Sequence, residues 1–150
     1  MNDCVKIFTP EQKPTDEEYT SIANFLKIHL EEYGDKLEDI KKAMNFALTT
    51  ENSFGGKIIV KHIDDKIVGS VVLNQTGMKG YIPENILVYI AVHHDYRGRK
   101  LGKELINKAI EISEGDIALH VEADNPAKFL YEKLGFTNKY LEMRFNRGAK

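Results

Sequence analysis

The sequence predicts an α/β fold, in which a mixed sheet is flanked by helices. Apolar residues recur at helical spacing in the first third of the chain, and from Lys57 onwards they follow the shorter period of β-strands. The run Ile86–Val92 is apolar throughout, which is typical of a strand buried on both faces. This run begins the first of two consecutive strand–helix units. The predicted element order is therefore ααβββαβαβ.

Two amphipathic helices are predicted before the sheet. The first follows Thr15 and Glu18, which have the spacing of a capping box, where hydroxyl and carboxylate each satisfy a free backbone N–H. Its apolar positions lie within Tyr19–Leu30, and Gly34 is expected to end it. The second helix carries its apolar face within Leu37–Leu48.

The second part of the chain alternates strands with turns and helices. Asp64 and Asp65 are expected to form the turn of a hairpin, and residues 74–84, with two glycines and a proline, form a loop. The remaining predicted elements are the strand Ile86–Val92, the helix Leu101–Ile112, the strand Ile117–Val121, the helix Pro126–Leu134 and a last strand within Tyr140–Phe145.

Composition narrows the class of protein. A chain of 150 residues fits one domain, and its only cysteine, Cys4, allows no intrachain disulfide. A formal net charge of -2 argues against nucleic-acid binding, and no apolar run is long enough for a membrane span or a signal peptide. We expect a cytoplasmic monomer or homodimer with no nucleic-acid or membrane partner.

A cationic, glycine-containing turn follows the strand Ile86–Val92. The first N–H groups of a helix have no internal partner, and the helix dipole adds partial positive charge, so such a turn can hold an anion. Gly98 and Gly102 let the backbone approach a phosphate closely. A solvated basic helix start is the alternative interpretation. The four cations, which suit a pyrophosphate with a further phosphate, are Arg97, Arg99, Lys100 and Lys103.

The second strand–helix unit also carries a candidate side chain. Asn125 and Pro126 are a typical helix start, and Gly135 is expected to end that helix in a left-handed conformation. Tyr131 lies one residue away from the apolar stripe, so its phenol can reach the cleft between the two units. The alternative is a packed ring with its hydroxyl at the surface.

These two units resemble the GCN5-related N-acetyltransferase (GNAT) superfamily. The run Val88–Gly102, VYIAVHHDYRGRKLG, resembles motif A, whose core is Arg/Gln-x-x-Gly-x-Gly/Ala. The run Asn125–Phe136, NPAKFLYEKLGF, resembles motif B. The resemblance implies a mostly antiparallel central sheet with a splayed pair of parallel central strands. It implies one domain over residues 1–150, with the sheet and cofactor-binding core at 57–145 and a variable helical acceptor region at 1–50.

The resemblance also implies an enzyme that transfers an acetyl group from acetyl-CoA to a primary amine by direct attack in a ternary complex. The strand backbone near Val92 would bind the pantetheine arm and stabilise the oxyanion, and the amides of the turn would hold the pyrophosphate. Tyr131 would protonate the departing thiolate. The implied cofactor-binding residues are Ile90, Ala91, Val92, Arg97, Gly98, Arg99, Lys100, Leu101, Gly102, Lys103, Asn125 and Tyr131, where Asn125 serves equally well as a helix cap.

Two positions depart from the family pattern. Lys100 replaces the first motif A glycine, which would cost roughly 1 kcal/mol or more if the backbone there has a positive φ. Many relatives carry a glutamate in the motif A strand as general base, but Ile86–Val88 has no carboxylate. Glu84, acting directly or through water, is the candidate catalytic base.

Histidines and acidic residues give further expectations. His93 and His94 are adjacent, so their side chains should diverge, and no third ligand has recognisable spacing; no metal is therefore expected. His120, within an apolar strand, is expected in the core or the cleft. The acceptor pocket would be built from residues 19–47 and 74–84. Five acidic residues, read either as a solvated turn or as a collar for a cationic small-molecule or peptide amine, are Glu31, Glu32, Asp35, Glu38 and Asp39.

Two other functions remain open. A non-catalytic protein that senses acyl-CoA through the same fold would bind tightly without turnover, and the missing strand carboxylate favours it. A general nucleotide-binding α/β domain is disfavoured, because the turn after Val92 has neither the GxGxxG nor the GxxxxGK[ST] arrangement.

Overall fold

The computed structural model describes residues 2–148 and confirms the α/β class, with a mixed five-stranded sheet in the order β1-β2-β3-β4-β5. Short 3-10 turns lie at Glu31–Tyr33 and His94–Tyr96. The elements in chain order are β1 (Asp3–Phe8), α1 (Asp16–His29), α2 (Leu37–Ala47), β2 (Gly56–Ile63), β3 (Lys66–Gln75), β4 (Asn85–Val92), α3 (Leu101–Ile112), β5 (Ile117–Leu119) and α4 (Ala127–Lys133).

The sheet is antiparallel from β1 to β4, and β5 is parallel to β4. The predicted hairpin turn between β2 and β3 is confirmed, with φ of 51° at Asp64 and 66° at Asp65. In β4, Tyr89 pairs with Val72 and Leu87 pairs with Leu73, so Val88 is an extra residue. This β-bulge shifts the register of β4 halfway along its length.

Both faces of the sheet are covered by helices. Ile58 and Val60 of β2 pack against α1 and α2, whereas Ile59 between them packs against Leu105 and Ala109 of α3. This alternation follows from the two-residue period of a strand. Because both faces are buried, β2 is apolar at successive positions, which explains its sequence signal.

Three predicted features at helix ends are confirmed. Thr15 Oγ1 accepts a 3.1 Å hydrogen bond from the N–H of Glu18, whose carboxylate accepts a 2.9 Å bond from the N–H of Thr15. These contacts, with Lys6 nearby, lower the pKa of Glu18. Asn125 Oδ1 accepts a 2.9 Å bond from the N–H of Ala127 at the start of α4. Gly135 has the expected left-handed conformation, with φ of 102°.

Two predictions about strands were wrong. β1 was not predicted; its residues are mostly exposed, and it owes its place in the sheet to pairing with β2. The predicted strand within Tyr140–Phe145 does not form, and the described residues after α4 contain no strand. β5 pairs over three residues, shorter than the predicted Ile117–Val121, and so offers little edge for a further strand.

The end of α1 also differs from the prediction. α1 ends at His29, and Glu31 takes the left-handed conformation with φ of 55°. Gly34, with φ of -97°, instead follows the 3-10 turn. No helix among residues 2–148 has the length and apolar character needed to cross a membrane.

Candidate active site

β4 and β5 pair over three residues and then separate. Their contact ends at Leu87 and Leu119, so Val88–Val92 has no strand beside it on that edge within the described residues. Successive strand residues direct their N–H groups to opposite edges. Because the N–H of His93 bonds to the oxygen of Val68 in β3 at 2.8 Å, the N–H groups of Ile90 and Val92 face the gap.

The bulge at Val88 creates this arrangement. Before the bulge, Asn85 directs its N–H to the oxygen of Asp116, 3.1 Å away on the β5 side. Without an extra residue, Ala91 would share that orientation and Ile90 would face β3. The bulge therefore turns the backbone of two predicted site residues, Ile90 and Val92, towards the gap, whereas the backbone of Ala91 faces β3.

The turn after β4 leads into an uncapped helix. The first helical hydrogen bond of α3 is donated by the N–H of Glu104 to Lys100, and no side chain caps the helix. The preceding N–H groups, those of Leu101, Gly102 and Lys103, therefore lack helical partners. Together with the helix dipole, they form an arrangement suited to a phosphate.

Lys100 adopts a conformation that favours glycine. Its φ of 64° and ψ of 20° lie in the left-handed region, and nearby Gly98 has φ of 83°. A non-glycine residue costs roughly 1–2 kcal/mol in this conformation. The departure from the motif A glycine therefore carries strain, although the lysine keeps its backbone N–H.

Arg97 is engaged by protein groups. It donates from Nη2 to the oxygen of His29 at 3.1 Å, from Nε to the oxygen of Val92 at 3.3 Å, and from Nη1 to Glu31 Oε1 at 3.3 Å. It thus joins the end of α1 to the end of β4. The other three predicted cations, Arg99, Lys100 and Lys103, are exposed.

α4 lies against the start of α3. A Cβ atom added at Gly102 would lie 3.0 Å from Leu130 Cδ2, so a side chain there would crowd α4. Tyr131 is the buried residue of α4, with 8% of its surface exposed. Burial raises the pKa of the Tyr131 phenol, which is therefore protonated at neutral pH.

Glu84 immediately precedes β4, at the end of the strand that pairs with β5. Its carboxylate accepts a 2.8 Å hydrogen bond from the N–H of Asp116 and a 3.3 Å bond from the N–H of Gly80. The bond from Asp116 is the main reason that its pKa is lowered. Glu84 precedes Leu87, where β4 and β5 separate, so its role as a base stays a prediction.

The loop between α1 and α2 reaches β4 beside the bulge. The hydroxyl of Tyr89 donates a short 2.5 Å hydrogen bond to Asp35 Oδ2, and burial is the main reason that the pKa of Tyr89 is raised. Sequence reasoning missed this pair; the available signal was a tyrosine in an apolar strand, whose hydroxyl needs a partner when buried. Tyr33 on the same loop donates to the oxygen of Asp124 at 3.4 Å, before α4.

Three of the five residues of the proposed acidic collar contact other protein groups. Glu31 pairs with Arg97, Asp35 accepts from Tyr89, and Asp39 lies 3.6 Å from Lys42. All five acidic residues are exposed, and Glu32 and Glu38 take part in none of these three contacts.

The expectation that the side chains of His93 and His94 diverge was wrong. The rings of His93 and His94 lie 4.9 Å apart by their centroids, and His29 of α1 lies 4.1 Å from His93 and 5.0 Å from His94. Burial, with the two neighbouring imidazoles, lowers the pKa of His29 to about 4. Of the two locations expected for His120, the core is excluded, because His120 is exposed directly after β5, where the pairing with β4 ends.

The chain belongs to the GNAT family. The family model described as an acetyltransferase (GNAT) domain matches residues 55–138, more than half of the chain. This segment contains both motifs, β4 with its open edge, and the uncapped start of α3. No curated protein matches the chain.

Solved structures share its fold at low sequence identity. A transcriptional regulator from Bacillus halodurans C-125 has a TM-score of 0.70 at 18% identity, over 95% of this chain and 99% of that chain. An aminoglycoside acetyltransferase, meta-AAC0020 from an uncultured soil metagenomic sample, in complex with sisomicin, has a TM-score of 0.68 at 15% identity, over 99% and 97%. The NatC complex bound to Gag peptide and CoA has a TM-score of 0.68 at 20% identity, over 91% and 86%.

Proposed function

We propose that this protein transfers an acetyl group from acetyl-CoA to a primary amine, by direct attack in a ternary complex. The observation that carries the proposal is the open edge of β4 at Val88–Val92, which continues into the uncapped start of α3. The first feature offers backbone groups to the amides of a pantetheine arm. The second offers unpartnered N–H groups to a pyrophosphate.

The chain supplies three elements of the chemistry. The N–H of Val92 faces the gap, where it would stabilise the negative charge on the thioester oxygen as the amine nitrogen bonds to the carbonyl carbon. As the carbon–sulfur bond breaks, the phenol of Tyr131 would give its proton to the sulfur. The proton of the attacking amine would pass through water to Glu84, or directly to solvent.

The acceptor is proposed to be a cationic small-molecule or peptide amine. The α1–α2 loop contacts β4 through the hydrogen bond between Tyr89 and Asp35, and Tyr89 belongs to the stretch Val88–Val92, so this contact supports an acceptor site at the loop. Glu32 and Glu38 remain exposed to attract a cation. The similarity to an aminoglycoside acetyltransferase and to a peptide-bound NatC complex supports this class. We propose a cytoplasmic monomer or homodimer acting as one domain.

A non-catalytic acyl-CoA sensor is the second candidate. The absence of a carboxylate from Ile86–Val88 favours it, as does the shared fold with a protein described as a transcriptional regulator. The two candidates differ in turnover rather than in binding.

One assay distinguishes the acetyltransferase from the sensor. The protein is incubated with acetyl-CoA and with polyamines, aminoglycosides, or peptides that carry a free N-terminus or lysine, and release of the free thiol is followed. The enzyme should release thiol in an amine-dependent manner. A sensor should bind acetyl-CoA in calorimetry and release none with any amine. Absence of binding at low salt would contradict both candidates.

A further inference from the structure

Three histidines from distant parts of the sequence meet at the end of β4. His29 ends α1, and His93 and His94 follow β4. One ring nitrogen of each lies within 4.8 Å of those of the other two. We propose that these imidazoles bind a divalent transition-metal ion such as Zn²⁺, at a site that does not depend on acetyl transfer.

The spacing and the ligand chemistry suit such an ion. Zinc binds histidine nitrogen at about 2.0–2.1 Å, so the nitrogens of a tetrahedral site lie about 3.4 Å apart. Small rotations of the three rings would close the remaining separation. Imidazole is a preferred ligand of Zn²⁺, Cu²⁺ and Ni²⁺, and three histidines leave the fourth position for water.

The side chain of Arg97 joins the two segments that carry the histidines. Its guanidinium donates to the oxygen of His29 and to the oxygen of Val92. The ring of Phe25 lies 4.6 Å from that of His29 and forms an apolar wall. His29 is buried, whereas the side chain of His94 is 54% exposed, so an ion can enter from solvent on the His94 side.

Neighbouring carboxylates favour a cation here. Asp95 Oδ1 lies 3.3 Å from Nε2 of His94, which leaves Nδ1 of His94 for the ion and gives its other nitrogen an acidic partner. Glu31 Oε1 lies 3.3 Å from Arg97 and offsets the charge of that guanidinium. Lys66 and Arg97 lie close enough to His93 to help lower its pKa, so these two cations oppose the binding of a divalent ion, and Asp95 and Glu31 partly offset them.

Metal binding must change two backbone contacts. Nδ1 of His29 accepts from the N–H of His94 at 3.3 Å, and Nδ1 of His93 accepts from the N–H of Asp95 at 3.1 Å. Each of these rings therefore carries its proton on Nε2. Binding through Nε2 moves that proton to Nδ1 and opens the contact. The amides of His94 and Asp95 consequently report on occupancy of the site.

The test uses the full chain in a Cys4→Ser background, freed of any affinity tag and treated with chelator. The substitution removes the exposed thiol, which would otherwise compete for metal. Zn²⁺ is titrated by calorimetry and Co²⁺ by visible absorption. We expect one ion per chain, and at least tenfold weaker binding in His29→Gln and in His94→Gln. His120→Gln, at an exposed histidine elsewhere, should bind like the background protein.

Amide spectra provide an independent readout. Zn²⁺, but not Mg²⁺, should shift the signals of His94 and Asp95. The proposal is overturned if His94→Gln binds as tightly as the background, if His120→Gln loses affinity to the same extent, or if the two amides do not shift. Should the buried His29 variant fail to fold, the exposed His94 variant still decides the outcome.

Discussion

The guanidinium of Arg97 donates a 3.1 Å hydrogen bond to the carbonyl oxygen of His29, and so joins the end of α1 to the turn before α3. Its contact with Glu31 is an exposed ion pair, whereas its contact with His29 is partly buried. We expect Arg97→Ala to lower the free energy of unfolding by about 2 kcal/mol, because it removes hydrogen bonds to two carbonyl groups. Glu31→Ala should cost at most about 1 kcal/mol.

Urea denaturation of both variants measures this difference. Equal losses in the two variants would show that the ion pair, rather than the contact with His29, stabilises the junction.

The free N–H of Gly102 allows a test of cofactor binding. Gly102→Pro deletes that N–H in the first turn of α3, where proline is tolerated. Gly102→Ala is the matched control, because its Cβ would also lie 3.0 Å from Leu130 but its N–H remains. We expect acetyl-CoA to bind the proline variant at least about tenfold more weakly than the alanine variant, as loss of a charge-assisted hydrogen bond requires. Calorimetry should also show affinity falling with salt. Equal affinities would exclude this turn as the pyrophosphate site.

The strain at Lys100 predicts a stabilising substitution. Lys100→Gly relieves a left-handed conformation, partly offset by the larger entropy of the unfolded chain. We expect the free energy of unfolding to rise by up to about 1 kcal/mol. Lys103→Gly, inside α3, should lower it by about 1 kcal/mol through lost helix propensity. Chemical denaturation compares the two, and a loss in both variants would contradict the strain at position 100.

Several local features could be predicted from the sequence, because each depends on residues that are close together in the chain. The capping box at Thr15, the hairpin at Asp64 and the left-handed Gly135 each follow from side chains a few positions apart. The motif A turn was located in the same way, although only the structure shows that Lys100 takes a positive φ.

The missed features depend on long-range pairing. β1 is only six residues long and mostly exposed, and its place in the sheet is set by its register with β2. The approach of His29 to His93, and of Asp35 to Tyr89, requires α1 and its following loop to pack over β4. No spacing rule within the sequence connects residues so far apart, since only the packed fold determines their separation.

Glu84 should make stability depend on pH. Its pKa is lower in the folded chain than in the unfolded chain, so its contribution is complete above the usual glutamate value of 4.5 and is lost as the pH falls through the lower folded value. Glu84→Gln should therefore destabilise the protein at pH 7, and the difference from wild type should shrink below about pH 4.5. Thermal unfolding across this range is the measurement. A difference that does not change with pH would show that the bonds to Asp116 and Gly80 do not depend on the charge.

Replacing Tyr131 tests whether the protein is an enzyme or a non-catalytic sensor. The buried phenol of Tyr131 is protonated at neutral pH, and Leu130, its neighbour in α4, lies against Gly102 at the start of α3. Tyr131→Phe keeps the ring and its packing against Phe136 while it deletes only the hydroxyl. General acid catalysis typically contributes about 10²–10⁴ in rate, so turnover of Tyr131→Phe on a good amine acceptor should fall at least tenfold.

The acetyl-CoA affinity of this variant and its midpoint of thermal unfolding should change little, because the hydroxyl is not needed for either. Steady-state kinetics with calorimetry as the control measures both effects. Unchanged turnover would mean that the thiolate leaves without a proton from Tyr131 and that this side chain serves only to pack α4.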